Sequence, residues 1–338
     1  MNDKIYRAAI VGCGRIAGGL AGGDGSLGVL THSEAYRVSP RTALVGVCDA
    51  DRLRAESFAR DWGGGNAYTN INELLERERP EVVSLCTPDE THEELALAIL
   101  QSSSRPLALF CEKPIALTVR GAQRVVAAAR DANVRLAVNY SRRYVDSVRA
   151  VRDLIQGGEL GAVQTIHGWY TKGVMHNGSH WFDLLRYLVG EVVQASGRIA
   201  RDSNPTDPDM DVTLEMASGA FAHLSSCDAR LYAVFEMDLM FEKGRIELRE
   251  AALSPQLSLI RPSDRFPGYT ELEETAHEFG DMRNPMLHAV EDLVKAMDTS
   301  GESLCQGVDG IAALAVAEAA ILSAHNGGKY ISVMTHEA

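Results

Sequence analysis

Short apolar runs, each ended by a glycine or a polar turn, set the rhythm of the first third of the chain. Runs at 5–11, 43–48, 82–86 and 107–111 have the length of buried strands. Helical patterns at 52–60, 72–78 and 93–101 separate them, and a helix at 119–131 leads to a further strand at 135–139. Continuously apolar strands alternating with helices predict a parallel, doubly wound sheet covered on both faces. After about residue 160 the rhythm changes. Strands at 163–171, 193–200, 212–216, 220–226, 235–241, 245–249 and 256–260 follow one another closely, joined by turns such as Ala217-Ser218-Gly219 and Glu242-Lys243-Gly244. Hairpin turns join antiparallel strands, so this part reads as α+β with a large, mainly antiparallel sheet. Helices at 179–189, 285–298 and 308–323 complete it. The expected domains are 1–122 and 123–338, with helix 308–323 a candidate to pack back on the first. At 338 residues, two cores are the default.

Charge narrows the partners. With 33 basic against 46 acidic residues the formal net charge is −13. That argues against nucleic acid and anionic membrane surfaces. Acidic residues gather in two stretches read as loops, 201–211 and 264–281, either as solvated surface or as a rim attracting a cationic substrate. Six scattered cysteines, Cys13, Cys48, Cys86, Cys111, Cys227 and Cys305, show no metal-ligand spacing. They read as small buried hydrophobes in a reducing compartment, and no metal is expected. The first strand begins too early to leave room for a signal peptide, and no apolar run spans a membrane, so a cytoplasmic protein is expected.

The chemistry starts where the first strand ends, at Gly12-Cys13-Gly14-Arg15-Ile16-Ala17. In this Rossmann fingerprint the first glycine allows a tight turn, and the second lets backbone approach a pyrophosphate. The third small residue lets helix and strand pack closely. Gly12, Gly14, Arg15 and Ile16 are therefore cofactor-binding candidates. Asp49, at the end of the second run, is the candidate ribose ligand; the alternative is a cap for the next helix. It lies further from the fingerprint than usual because of a glycine-rich insertion, 18–25. A carboxylate there repels a 2′-phosphate, which favours NAD over NADP. The fourth run leads into Cys111-Glu112-Lys113-Pro114. A lysine at the carboxyl end of a parallel strand faces the crevice where ligands bind.

These motifs, with Thr87-Pro88 and His92, Asn139 with Arg142-Arg143, and His180 with Asp183, resemble the glucose–fructose oxidoreductase, inositol dehydrogenase and rhizopine catabolism family (Gfo/Idh/MocA) over nearly the whole chain. The resemblance implies that Thr87, Pro88, His92, Glu112, Asn139 and Arg143 join the fingerprint around the cofactor. It implies that Lys113 points at the reacting carbinol and that the Lys113–Pro114 bond is cis. His180 becomes the candidate acid/base, and Asp183 orients a neighbour. Where the family commonly has Asp or Asn four residues before that histidine, this chain has His176, followed by Asn177. That leaves either a His176 relay or no second acid/base group. Tyr170, Lys172, Asn177, Lys113 and His180 are candidates to touch substrate.

The expected function is NAD-dependent oxidation of a secondary ring hydroxyl of a sugar or glycoside, or its reverse. A neutral imidazole takes the proton, Lys113 stabilises alkoxide character and the nicotinamide takes the hydride. Acidic loops, a 27-to-6 excess of arginine over lysine that suggests a GC-rich genome, and the enlarged loop fit a glycoside of antibiotic biosynthesis, such as an aminoglycoside. A nucleotide-linked sugar, a cyclitol, or a non-catalytic dinucleotide sensor are the alternatives. The resemblance also implies a homodimer or homotetramer.

Overall fold

The computed structural model describes residues 4–19, 25–201, 204 and 206–334. In chain order the elements are β1 (Tyr6–Val11), α1 (His32–Val38), β2 (Thr42–Cys48), α2 (Arg52–Trp62), β3 (Asn66–Tyr68), α3 (Ile71–Glu78), β4 (Val82–Leu85), α4 (His92–Gln101), β5 (Ala108–Cys111), α5 (Val119–Asp131), β6 (Arg135–Val138) and α6 (Asp146–Gln156). They continue with β7 (Val163–Tyr170), α7 (Ser179–Val189), β8 (Val192–Arg201), β9 (Asp209–Met216), β10 (Phe221–Ser226), β11 (Phe235–Phe241), β12 (Gly244–Arg249), β13 (Ser254–Pro262), β14 (Thr270–Thr275), α8 (Pro285–Thr299), α9 (Gly307–His325) and β15 (Ile331–Ser332). Two compact units result. The first is Met1–Tyr144 with Arg283–Ile311; the second is Val145–Met282 with Ala312–Ala338.

The first unit is a parallel six-stranded sheet in the order β3-β2-β1-β4-β5-β6. Its central strands are mainly apolar because helices cover both faces; Ala8, Ala9, Ile10, Val83, Leu85 and Leu109 are fully buried, with Ser84 of β4 a buried polar exception. The strand order reverses between β1 and β4, which opens a crevice at their carboxyl ends. Beyond residue 122 this unit takes in α5, β6 and, from much later in the chain, α8.

The second unit is a nine-stranded sheet, β14-β13-β12-β11-β7-β10-β9-β8-β15, antiparallel except for β7 beside β10. Along β7 the buried residues alternate, with Ile166, Gly168 and Tyr170 inward and Trp169 outward. Gly168 is required there. A Cβ on it would lie 2.2 Å from the indole Nε1 of Trp181, the fully buried residue that α7 lays against the sheet. Trp181 also donates to the carbonyl of Glu236 at 3.1 Å.

Several elements depart from the pattern reading. The stretch 264–281 contains strand β14, whose carboxylates pair across to β13, Glu271 and Glu273 both bonding Arg261. As an edge strand with both faces exposed it shows no apolar alternation. The second acidic stretch, 201–211, includes the start of β9; of its residues, 202, 203 and 205 lie outside those described. Helices α1 and α6 were not anticipated. In α6 the apolar positions Val148, Val151 and Ile155 share one helical face, with Val148 and Val151 buried. Most of the insertion 18–25 also lies outside the described residues. Among the described residues one helix, α9, is long and apolar enough to cross a membrane by length and composition, and 67% of that window is buried within the protein.

Candidate active site

The fingerprint forms as expected at the end of β1. Gly12 has φ +92, and a Cβ on it would meet the Cys86 and Thr87 backbone at 2.7 Å, so a side chain is excluded. At Gly14 a Cβ would meet nothing within 4 Å: the space above it is open. Ala17 is fully buried. The following segment, Arg15–Gly19, is a single π-helical turn, and among the described residues the next helix is α1. There Thr31 accepts from the Glu34 amide while Glu34 accepts from that of Thr31, a reciprocal cap that fixes where α1 begins.

Gly12, Gly14, Asp49, Thr87 and Pro88 line one cavity of about 650 Å³ in this unit. Asp49 is held by two backbone amides, Oδ2 accepting from Cys13 and Oδ1 from Asp51, both at 2.9 Å. Asp49 does not cap α2; Asp51 does, accepting from Leu53 and Arg54. Arg54 reaches Asp49 at 3.4 Å from its exposed position. Nearby thiols are inert. Burial, with the Asp49 charge, pushes Cys13 up to about 12 and Cys48 up to about 11.

At the next strand ends lies a connected polar cluster. Glu112 and Lys113 are each 8% exposed, and the Lys113–Pro114 bond is cis. Oε1 of Glu112 accepts from His32 Nε2 at 2.8 Å and from Asn139 Nδ2 at 2.6 Å. Burial by itself raises the Glu112 carboxyl, but the His32 bond and charge, the Asn139 amide and the Lys113 charge outweigh it. Its pKa lies below the usual carboxylate value. Asn139 Oδ1 is buried without a hydrogen-bond partner. His92, which the resemblance placed around the cofactor, is instead fully buried with both ring nitrogens on backbone, Nδ1 2.6 Å from the Pro114 carbonyl and Nε2 2.8 Å from that of Thr87, and does not face a ligand. The Arg143 guanidinium bonds Asp309 at 3.0 Å and the Leu304 carbonyl at 3.4 Å, and Asp309 in turn accepts from the Gln306 amide, so Arg143 ties the start of α9.

In the second unit the segment Gly173–Gly178 is a π-helical turn running directly into α7. His176 therefore stands on the turn and His180 on the helix; His176 is exposed and His180 half-buried. Asp207 holds the turn by accepting from the amides of Met175 at 2.6 Å and His176 at 3.1 Å, and Asp209 accepts from Gly173 at 3.1 Å. Lys172, exposed, has φ +70, where the chain swings into the turn. Asn177 is half-buried. Tyr170 is not where a substrate ligand would be. It is fully buried, with its hydroxyl bonded to both the amide and the carbonyl of Met210. Asp183 is buried on α7.

The pattern reading passed over His32, Ser84 and Tyr36, which stand behind Glu112, and Asp207, which it counted as loop charge. Only Thr31-Glu34, a helix-start signature, hinted at the position of His32.

Comparison with known proteins agrees with this architecture. Residues 6–140 match the NAD-binding Rossmann domain of the Gfo/Idh/MocA oxidoreductases, and 148–247 match the C-terminal domain of the same family. Inositol 2-dehydrogenase of Rhizobium meliloti is 28% identical over 325 residues, 89% of this chain and 94% of that protein. Inositol 2-dehydrogenase 4 of Saccharopolyspora erythraea is 32% identical over 237 residues, 65% of this chain and 66% of that protein. The structure of levoglucosan dehydrogenase with NADH and L-sorbose superposes with a TM-score of 0.82 at 17% identity, covering 98% of this chain and 99% of that one. With both halves matched in order, the chain belongs to the Gfo/Idh/MocA oxidoreductases, NAD-binding dehydrogenases of sugars and cyclitols.

Proposed function

We propose that this enzyme oxidises a secondary ring hydroxyl of an uncharged sugar or cyclitol, with Lys113 and His180 acting on the reacting alcohol. One observation carries the reading. Beside Lys113, Glu112 receives both of its side-chain hydrogen bonds on Oε1, and Asn139 presents an unpartnered buried acceptor. Acceptors left open beside a lysine suit hydroxyl donors, those of the cofactor's second ribose and of a polyhydroxylated substrate lying against it.

The same residues fit NAD. The open space above Gly14 leaves room for a pyrophosphate, and Asp49, free of capping duty, retains lone pairs for ribose hydroxyls. Thr87 and Pro88 line the same cavity, and Glu112 and Asn139 suit the second ribose. Bound there, NAD supplies a hydride acceptor. The chain supplies the rest. Lys113 donates a hydrogen bond to the alcohol oxygen and stabilises its alkoxide character. His180 takes the hydroxyl proton, and His176 and Asn177 contribute to the substrate rim. This division of labour is tested by following NADH formation with myo-inositol, D-glucose and methyl α-D-glucoside, each with NAD and with NADP. Turnover of at least one compound, faster with NAD, supports it; reaction only with charged or nucleotide-linked sugars contradicts it.

We also infer that copies of the chain associate through the outward face of the nine-stranded sheet. There Trp169 on β7 and Phe221 on β10 are each 40% exposed. Light scattering after gel filtration tests this, and Trp169→Glu should shift the mass toward monomer.

A further inference from the structure

Lys113 lies between two residues that are each held by a buried histidine from elsewhere in the first unit. We propose that His92 and His32 are positioning residues that aim Lys113, one through the Pro114 carbonyl and the other through the Glu112 carboxylate. The inference rests on the reading of Lys113 as the group that acts on the substrate alcohol.

His92 opens α4 and is fully buried. Its ring bridges two loops of the crevice, with Nδ1 at 2.6 Å from the Pro114 carbonyl and Nε2 at 2.8 Å from that of Thr87. Both partners are carbonyls and only accept, so with a hydrogen on each ring nitrogen the imidazole ties the turn after β4 to the turn after β5. Its packing is closed on all sides, so it cannot itself reach a ligand.

His32 opens α1 and is also fully buried. A carboxylate only accepts, so the bond to Glu112 Oε1 needs the hydrogen on Nε2. Behind it, Nδ1 meets Ser84 Oγ at 2.8 Å, and the same Oγ meets the Tyr36 hydroxyl at 2.6 Å. With its hydrogen on Nε2, the neutral His32 ring accepts the Ser84 hydrogen at Nδ1, which leaves the Tyr36 hydroxyl as the donor to Ser84 Oγ. The chain Tyr36 to Ser84 to His32 to Glu112 then satisfies each donor in one direction. It pins Oε1 from α1 and β4, while Asn139 pins it from the end of β6. A rigid element behind each neighbour of a catalytic lysine is what fixing its aim requires, because small misplacements cost rate heavily.

The geometry separates the functions of the two ring nitrogens. An asparagine amide nitrogen falls near the position of a histidine Nδ1, and a glutamine amide nitrogen near that of Nε2. His92→Asn therefore keeps the Pro114 bond and His92→Gln loses it. At position 32 the order inverts: His32→Gln keeps the Glu112 bond and His32→Asn loses it. In the test, kcat is measured with NAD and the best of the three sugars above, and NAD affinity and Tm are measured on the same samples. Reductive methylation of Lys113 in the protein without cofactor is followed by peptide mass spectrometry. The expected result is crossed. His92→Gln and His32→Asn lose about 10²-fold in kcat and label Lys113 several-fold faster, while His92→Asn and His32→Gln stay close to wild type in both. Losses that follow Tm without the crossed order, or four variants alike, overturn the proposal. The two pairs are independent, so one poorly folding variant leaves the other pair to decide, and the labelling needs no substrate. Lys113→Ala serves as the control: if it retains full turnover, the reading of Lys113 fails, whereas an inactive Lys113→Ala beside uncrossed histidine variants sinks only the positioning claim.

Discussion

In the first unit Glu112 is gripped by α1 through His32 and by the end of β6 through Asn139, and the Pro114 carbonyl is gripped by α4 through His92. In the second unit, His176 and Asn177 ride on one π-helical turn, and that turn hangs from Asp207 and Asp209 by backbone amides. The cofactor half is thus built from strand ends locked by buried side chains. The proposed substrate side is a single turn held by carboxylates from a neighbouring strand and its approach. If that turn meets the substrate, one cofactor scaffold can serve different substrates by changes in the turn alone.

The sharpest way to break this comparison is at the histidines. His180→Ala should lower turnover by roughly 10²–10⁴-fold. If it is the base, it must be neutral to take the proton, so wild-type kcat/KM should rise with pH along one limb that His180→Ala flattens. His176→Ala, on the exposed turn, should keep the limb and lose little rate. If His176→Ala erases the limb and His180→Ala leaves it, the helix and the turn have exchanged roles. Lys113→Ala follows, with a loss of about 10²-fold or more in kcat and NAD affinity nearly unchanged by fluorescence titration. Weakened NAD binding with intact kcat would place the lysine on the cofactor instead.

The two fingerprint glycines test how far the cofactor half is prebuilt. Gly14→Ala should leave Tm almost unchanged, because nothing lies within 4 Å of its Cβ, yet weaken NAD about tenfold or more, roughly 1.4 kcal/mol. Gly12→Ala should instead lower Tm, since its Cβ meets fixed backbone at 2.7 Å. Equal thermal effects would show that the space above Gly14 is not kept for a ligand.

What could be read from the chain follows the same division. Glycine spacing after a strand, an acidic residue ending β2 and Glu112-Lys113-Pro114 are local signals, and each falls where a parallel sheet displays its strand ends. His32 is not a local signal. It meets Ser84 and Glu112 across sequence separations that only the strand order closes. Asp207 was hidden for another reason, since a charged loop residue looks like solvated surface until the amides it receives are known. Tyr170 misled because alternation along β7 tells which residues share a face, not whether that face looks into a cleft or a core. Here the tyrosine faces Met210.

Asp207 offers the smallest and most selective effect. Its two oxygens take one amide each, from Met175 and His176, and its Cγ lies 2.2 Å from where a Cβ on Gly173 would sit. The turn is therefore moulded around this carboxylate, with Gly173 at φ +73 allowing the close approach. Asp207→Asn keeps the shape, but an amide nitrogen cannot accept, so one of the two bonds is lost. A hydrogen bond to a charged group contributes about 1.5–3 kcal/mol, and an exposed turn recovers part of that from water. The expected outcome is a rise of about three- to tenfold in KM for the sugar, with NAD affinity and the pH limb unchanged and kcat reduced only slightly. Were kcat to fall as far as in His180→Ala, the turn would be aligning the base as well as the substrate. The contrast between a locked cofactor half and an adjustable substrate half would then have to be redrawn at the start of α7.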